Sequence, residues 1–222
     1  MAKKRFGGSS AGESGRNVSL VNMSEKAILR QAKHWPLLEC LMTKEWEEPH
    51  QLVQISVARR APSGEVAVGL FLIDLACLGA KNAHAMVFRS VAEYRSDFLP
   101  EITRHQKLVP CDLDFAAKVI AEGVKYAASL GFRPNRDIDK AYMVLGDAHP
   151  ERCQTFIPLG GDDGKPFFVN GPYDDIERIL RVLNRKVGKG NYHFLYVAGD
   201  VDDFGDEDWE GDDWEDDEWE EE

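Results

Sequence analysis

Apolar residues recur along this chain in three rhythms, and each predicts a different element. Ser24 can cap a first helix that runs to about His34, where Trp35-Pro36 breaks it, because proline disfavours helical geometry in the residue before it. Pro36 can open a second helical segment through Trp46, with Leu37, Leu38, Leu41 and Met42 as its buried face. The period then changes. Val53, Ile55 and Val57 alternate with Gln54, Ser56 and Ala58, which predicts a strand; Ala61-Pro-Ser-Gly64 is a turn, and Val66 to Leu75 is a nearly continuous apolar run. The pair reads as a β-hairpin whose second strand is central and covered on both faces, stopped by Gly79. A short strand around Met86 to Phe88 and an amphipathic piece through Leu99 follow.

Helical spacing returns after Pro110. Asp112 or Asp114 can cap a helix with Phe115, Val119, Ile120, Val124, Ala127 and Leu130 on one face, ended by Gly131. Asn135 or Asp137 starts another, with Ile138, Tyr142 and Leu145 inward and Gly146 as its stop. Thr155 to Leu159 and Phe167 to Val169 read as strands flanking the turn Gly160-Gly-Asp-Asp-Gly-Lys165. A last helix spans Asp174 to Val187, acidic at its start and basic at its end as the helix dipole prefers, and Tyr192 to Val197 is a closing strand. The pattern predicts one α+β domain over residues 23–198, with a central, mostly antiparallel sheet and packed helices. Residues 1–22, polar, basic and Gly/Ser-rich, read as a disordered arm, and 199–222 as a disordered acidic tail.

Composition changes the picture at those two ends. The net charge of −12 is unevenly spread: Asp200 to Glu222 holds 16 of the 39 acidic residues and no basic one. Residues 1–199 carry a net +4, and residues 1–33 alone supply +5. Such a chain is neither an acidic globule nor a disulfide-stapled miniprotein, and its length and 43% hydrophobic content suffice for a real core. No apolar run follows Lys3-Lys-Arg5, so no secretory signal is read there, and the best membrane candidate, Val66 to Leu78, is too short and carries Asp74. Cys40, Cys77, Cys111 and Cys153 form no CxxC pair, and no histidine lies three to five residues from another. The expectation is scattered reduced thiols in a cytoplasmic protein, with no metal and no cofactor.

The run Gly69-Leu-Phe-Leu-Ile-Asp-Leu-Ala-Cys-Leu-Gly-Ala-Lys-Asn-Ala83 resembles a motif in a family of uncharacterised, mainly bacterial proteins. In that family a hairpin strand ends in an aspartate followed by a CLG-x-K-[ND]-A segment. Gly123-Val-Lys-Tyr-Ala-Ala-Ser-Leu-Gly-Phe132 and Gly164-Lys-Pro-Phe-Phe-Val-Asn-Gly-Pro172 resemble later blocks of the same family. The resemblance covers residues 50–197 and implies a shared fold; it supplies no activity and lends no catalytic residues. Some members end in a SEC-C type zinc-binding segment rich in paired cysteines, where this chain has its acidic tail.

Asp74, inside Phe71-Leu-Ile-Asp-Leu-Ala-Cys77, is the sharpest local oddity, since a carboxylate in so apolar a run must be hydrogen-bonded, paired or neutral. A metal-nuclease reading groups Glu65, Asp74 and Lys81. Nine-residue spacing on one strand, however, puts Glu65 and Asp74 on opposite faces. The favoured reading is structural: Asp74 ends the strand by accepting N–H bonds from the Gly79–Asn82 turn, with Lys81 as its ion partner. Gly160-Gly-Asp-Asp-Gly-Lys165 fails the phosphate-loop spacing and reads as a hairpin turn. No Gly-x-Ser-x-Gly elbow is present, and His84 and His193 could enter a site only through folding.

In the tail, Phe204, Trp209, Trp214 and Trp219 recur every five residues among carboxylates. Five residues advance a helix by about 500°, and odd spacing alternates faces in a strand, so neither element gathers the rings. From Asp200, Phe204 and Gly211 occupy EF-hand positions that need oxygen ligands. Acidic-aromatic repeats suit docking onto a basic surface, with the rings packing on arginine or apolar pockets. The surface expected is that of a partner protein, one that binds nucleic acid included, or this chain's own arm through Lys3, Lys4, Arg5 and Arg16. Any contact with nucleic acid is then indirect or weak, and no membrane is involved. The rival expectation is a hydrolytic, nucleic-acid-directed enzyme centred on Asp74 and Lys81, with the tail as autoinhibitor.

Overall fold

In the computed structural model, residues 23–48 and 52–197 are described; the arm 1–22, His50 and the segment 199–222 lie outside them. After α1 (Glu25–Ala32), the chain lays down β1 (Leu37–Thr43), β2 (Val53–Arg60), β3 (Val66–Asp74) and β4 (Gly79–Phe88). A helical excursion of α2 (Val91–Glu93), a π turn (Tyr94–Phe98) and α3 (Leu99–Thr103) leads to β5 (Leu108–Pro110). The strands pair in the order β4-β3-β2-β1-β5, every neighbouring pair antiparallel. The fold is α+β.

The near-continuous apolar run of β3 follows from its position, because both faces are covered. On one face Ala67, Phe71 and Ile73 pack into the main core with α1, α4 (Leu113–Ser129) and α5 (Ile138–Leu145). On the other, Val66 and Val68 meet Tyr94, Phe98 and Ile102 of the helical excursion. The side chain of Asp112 caps α4 by accepting from Phe115 N at 3.0 Å, and Ala116, Val119, Ile120, Gly123 and Ala127 form the buried stripe of that helix. Gly79 approaches α4 so closely that a Cβ there would lie 2.6 Å from Ala127 Cβ, and its φ of +67° disfavours any other residue.

Four expectations are corrected. Residues 36–46 do not form a helix: Leu37–Thr43 is β1. Both faces of β1 carry apolar residues, with Cys40 and Met42 in the main core, so spacing that fits a helix also fits a doubly covered strand. β3 stops at Asp74 rather than at Gly79, which begins β4, ten residues long rather than a short strand around Met86–Phe88. Residues 155–159 form no strand, and Ile157 is the one residue among them buried in the main core. The turn at 160–165 is present, Gly161 N donating to Lys165 O at 2.7 Å, but it joins no hairpin. β6 (Phe167–Val169) instead pairs in parallel with β7 (His193–Leu195), α6 (Ile176–Lys186) crossing between them. This βαβ unit has its own small core of Cys77, Leu130, Phe168 and Leu183.

One buried cation closes the main core. Arg59, only 3% exposed, uses all three nitrogens of its fork: Nε donates to Val144 O (2.7 Å), Nη1 to Trp35 O (2.8 Å), and Nη2 to Leu145 O (2.7 Å) and Asp147 Oδ1 (2.6 Å). Its positive charge thus sits on the carbonyl end of α5, where the dipole is negative and the last carbonyls lack helical partners. Gly146, at φ +62°, leaves the space; a Cβ there would lie 2.8 Å from Arg59 Cζ. Arg59→Met leaves three carbonyls enclosed without donors and is expected to cost about 3 kcal/mol. Asp147→Asn, whose side chain is 79% exposed, should cost less than about 1 kcal/mol. Urea unfolding of the two variants separates the contributions.

Candidate functional site

Asp74 is 7% exposed at the end of β3, and both of its oxygens are occupied. Oδ1 accepts from Ala76 N (2.8 Å) and Cys77 N (3.0 Å), and Oδ2 from Leu78 N (3.0 Å). The donors come from residues 76–78 rather than 79–82, because Gly79 already belongs to the β4 ladder opposite Asp74. Burial pushes the Asp74 carboxyl up, while the three N–H donors and the charge of Lys81 pull it back. Glu65 precedes the opposite end of β3, about 30 Å away at strand rise, so the two carboxylates cannot share a metal. Among the described residues no three His, Cys, Asp or Glu side chains are placed to hold a metal ion.

Lys81 does not pair with Asp74. Strand pairing jumps from Leu72↔Asn82 to Ile73↔Ala80, which leaves Lys81 as the extra residue of a β-bulge and re-aims its side chain. Its Nζ lies 2.5 Å from Asp174 Oδ2, each side chain 15% exposed, and the same oxygen accepts from Gly171 N at 2.7 Å. Two further bonds tie the same region together: Gly160 N donates to Leu75 O (3.0 Å) and Phe167 N to Ala76 O (3.0 Å). The segment 74–81, singled out in the sequence as candidate chemistry, is thus the fastening that holds the βαβ unit to the main sheet.

The outer face of that unit carries the exposed features. His193 Nε2 lies 2.9 Å from Asp163 Oδ2, beside an open cleft of about 510 Å³ lined by Gly161, Asp162, Phe167, Phe194 and Leu195 as well. The bond to His193 is the main cause that holds Asp163 down to about 2. Among the described residues no Ser, Thr or Cys lines the cleft. Phe194 stacks on Phe168, with ring centroids 5.3 Å apart, and Tyr173, Leu195 and Tyr196 are exposed. Asn170 grips the end of the described chain with both ends of its amide: Nδ2 donates to Val197 O (3.0 Å) and Oδ1 accepts from Val197 N (2.7 Å). On α6, Ile179, Leu180 and Leu183 face the small core, while Arg178, Arg181 and Arg185 lie within an arc of about 60° on the opposite side. The spacing of those three arginines is visible in the sequence, but the basic residues there also satisfy the helix dipole, which hid the stripe.

Two other placements differ from the sequence reading. Cys40 and Cys111, 71 residues apart, meet where β1 runs beside β5, with Sγ atoms 3.4 Å apart. The thiol–thiol hydrogen bond pushes Cys40 up and Cys111 down. Closing a disulfide would require that distance to fall to about 2 Å; all four cysteines are free. His84 sits half-buried on β4 with no catalytic partner beside it among the hydrogen bonds of the described residues. The candidate docking residues Phe204, Trp209, Trp214, Trp219, Lys3, Lys4, Arg5 and Arg16 lie outside the described residues. No described helix is long and apolar enough to cross a membrane.

Comparison with protein-family models, curated proteins and solved structures gives no match. Geometry is therefore what bears on function.

Lys81→Met should leave the main sheet intact and loosen the βαβ unit. Amide exchange at Phe168 and Leu183 is expected to rise about tenfold or more, with Ile55 and Phe71 unchanged. Asp163 gives a second check. A hydrogen bond to the charged carboxylate favours deprotonation, so the contact holds above the lowered midpoint and is lost as pH falls through about 2. Carboxyl NMR of Asp163 should show that midpoint, and His193→Ala should move it up toward the ordinary aspartate value of 3.8.

Proposed function

We propose that this chain is a binding or regulatory protein, working in the cytoplasm, whose segment Asp200–Glu222 docks on a basic surface. That surface belongs to a partner protein, with nucleic-acid-binding proteins the class whose charge suits it best, or to the chain itself. The observation that carries the reading is the segment's chemistry: 16 carboxylates without one basic residue, punctuated by Phe204, Trp209, Trp214 and Trp219. Carboxylates supply long-range attraction to cations, and tryptophan supplies contact area at interfaces, where serine would serve better for solubility alone.

What supports a docking role over hydrolysis is how the body uses its polar groups. A hydrolase centred on Asp74 needs that carboxylate at a solvent-reachable cleft beside a second acid or a histidine. Asp74 is instead enclosed and saturated by backbone donors, Lys81 is engaged by Asp174, and Glu65 is at the far end of β3. The reading thus assigns the body a scaffolding role and the segment the contact.

The test compares the full chain with residues 1–199 in a pull-down from lysate, at low and moderate salt. Proteins recovered only with the full chain, and released by salt, are the expected result. A full chain carrying Trp209→Ser, Trp214→Ser and Trp219→Ser keeps every charge and should bind the recovered partner about tenfold more weakly. Equal recovery by both chains, or no effect of the triple substitution, overturns the reading.

A further inference from the structure

We propose that the arginine stripe of α6, with the exposed end of β7 beside it, is the resting dock for this chain's own acidic segment. The proposal deepens the docking reading and rests on it: it names the basic surface that the segment occupies before a partner takes it. The inward positions of α6 are filled by the small core, which places Arg181 and Arg185 on the face turned away from it. Arg181, Arg185 and Lys189 are exposed, and none makes an ion pair with a described residue.

Position selects the occupant. β7 starts beside the C-terminal half of α6, where Tyr192 OH donates to Asn184 Oδ1 at 3.2 Å. The described chain ends just beyond β7 at Val197, gripped by Asn170, five residues before Asp175, the N-cap of α6. The chain therefore leaves the described body at the N-terminal end of α6 and must run back along the helix to reach its basic half. The eleven residues of α6 are about 16 Å long. Asp200 to Asp208 carries six carboxylates, three to eleven residues beyond Val197, and so reaches from about 10 to about 36 Å when extended. That window covers the whole stripe.

A tether this short gives an effective concentration in the millimolar range, so even weak ion pairs are occupied. The basic arm competes less well, because its cations at residues 3–16 lie 7 to 20 residues before Met23 and docking there must order a second stretch of chain, whereas the arginines of α6 are held on a helix. Aromatic seats stand at the same exit. Tyr173 is 81% and Tyr196 63% exposed, beside the point where Phe204 and the first tryptophan would fold back.

NMR spectra of the full chain and of residues 1–199 provide the test. At about 0.05 M salt, the amides of residues 176–197 should differ between the two chains and converge at about 0.5 M salt, as the Debye length shrinks to a few ångströms. In trans, a peptide of residues 200–222 should bind the 1–199 chain. The double variant Arg181→Glu, Arg185→Glu should weaken that binding about tenfold, with unchanged main-sheet amides showing that it folds. Unchanged spectra over 176–197 overturn the proposal, as do shifts confined to residues 3–16 or shifts that depend on protein concentration, which would mean docking on the arm or on a second copy. Polylysine binding by the full chain keeps the two readings apart: if it persists while α6 is unaffected, the self-dock fails and the docking role stands. If the segment binds neither α6 nor polylysine, both fail.

Discussion

The carboxylate of Asp174 stands at the junction of the two packed parts of this protein. One oxygen receives both the ammonium of Lys81, from the edge strand of the sheet, and the N–H of Gly171, from the loop that leads into α6. The pair is enclosed enough for its attraction to exceed that of a surface bridge, and the backbone donor helps offset the loss of water around the acid. It depends in turn on the bulge in β4, which turns Lys81 out of the ladder, and on the Asp74 turn, whose carbonyls at Leu75 and Ala76 receive the N–H groups of Gly160 and Phe167. Everything on the outer face of α6 and β7 inherits its position from this junction.

Much of the body is legible in the sequence, for identifiable reasons. α4 and α5 announce themselves because their caps and stops, Asp112 and Gly146, bracket apolar residues that face a single core. β2 shows by alternation and β3 by an unbroken apolar run. β1 misleads because both its faces are covered, which erases the period that separates strand from helix. The parallel pairing of β6 with β7 is hidden because pairing across a crossover helix leaves no turn signature, whereas the Gly-rich turn before β6 suggested a hairpin.

The candidate site shows the same limit more sharply. Asp74 was conspicuous as a charge among apolar residues, and its backbone role follows from that alone. The partner of Lys81 could not be read, since Asp174 lies 93 residues on and meets it only through the bulge. Likewise Cys40 with Cys111, and Asp163 with His193, are pairs created by strand neighbours that sequence spacing does not encode. Clusters assembled by topology escape a reading that depends on local spacing, while the composition of the acidic segment does not, because its chemistry needs no fold to be evident.

The grip of Asn170 on Val197 has a mechanical consequence. Tension applied through the C-terminal segment enters the body at Val197 and passes into β7. Its neighbour β6 is held at the opposite end, where Phe167 N bonds Ala76 O. Parallel strands loaded from opposite ends bear force in shear, so the Asn170 amide and the β6–β7 bonds resist together rather than opening one by one like a zipper. A partner that pulls on the segment therefore meets a stiff anchorage, and the strain is delivered to the Asp74 turn and the sheet behind it.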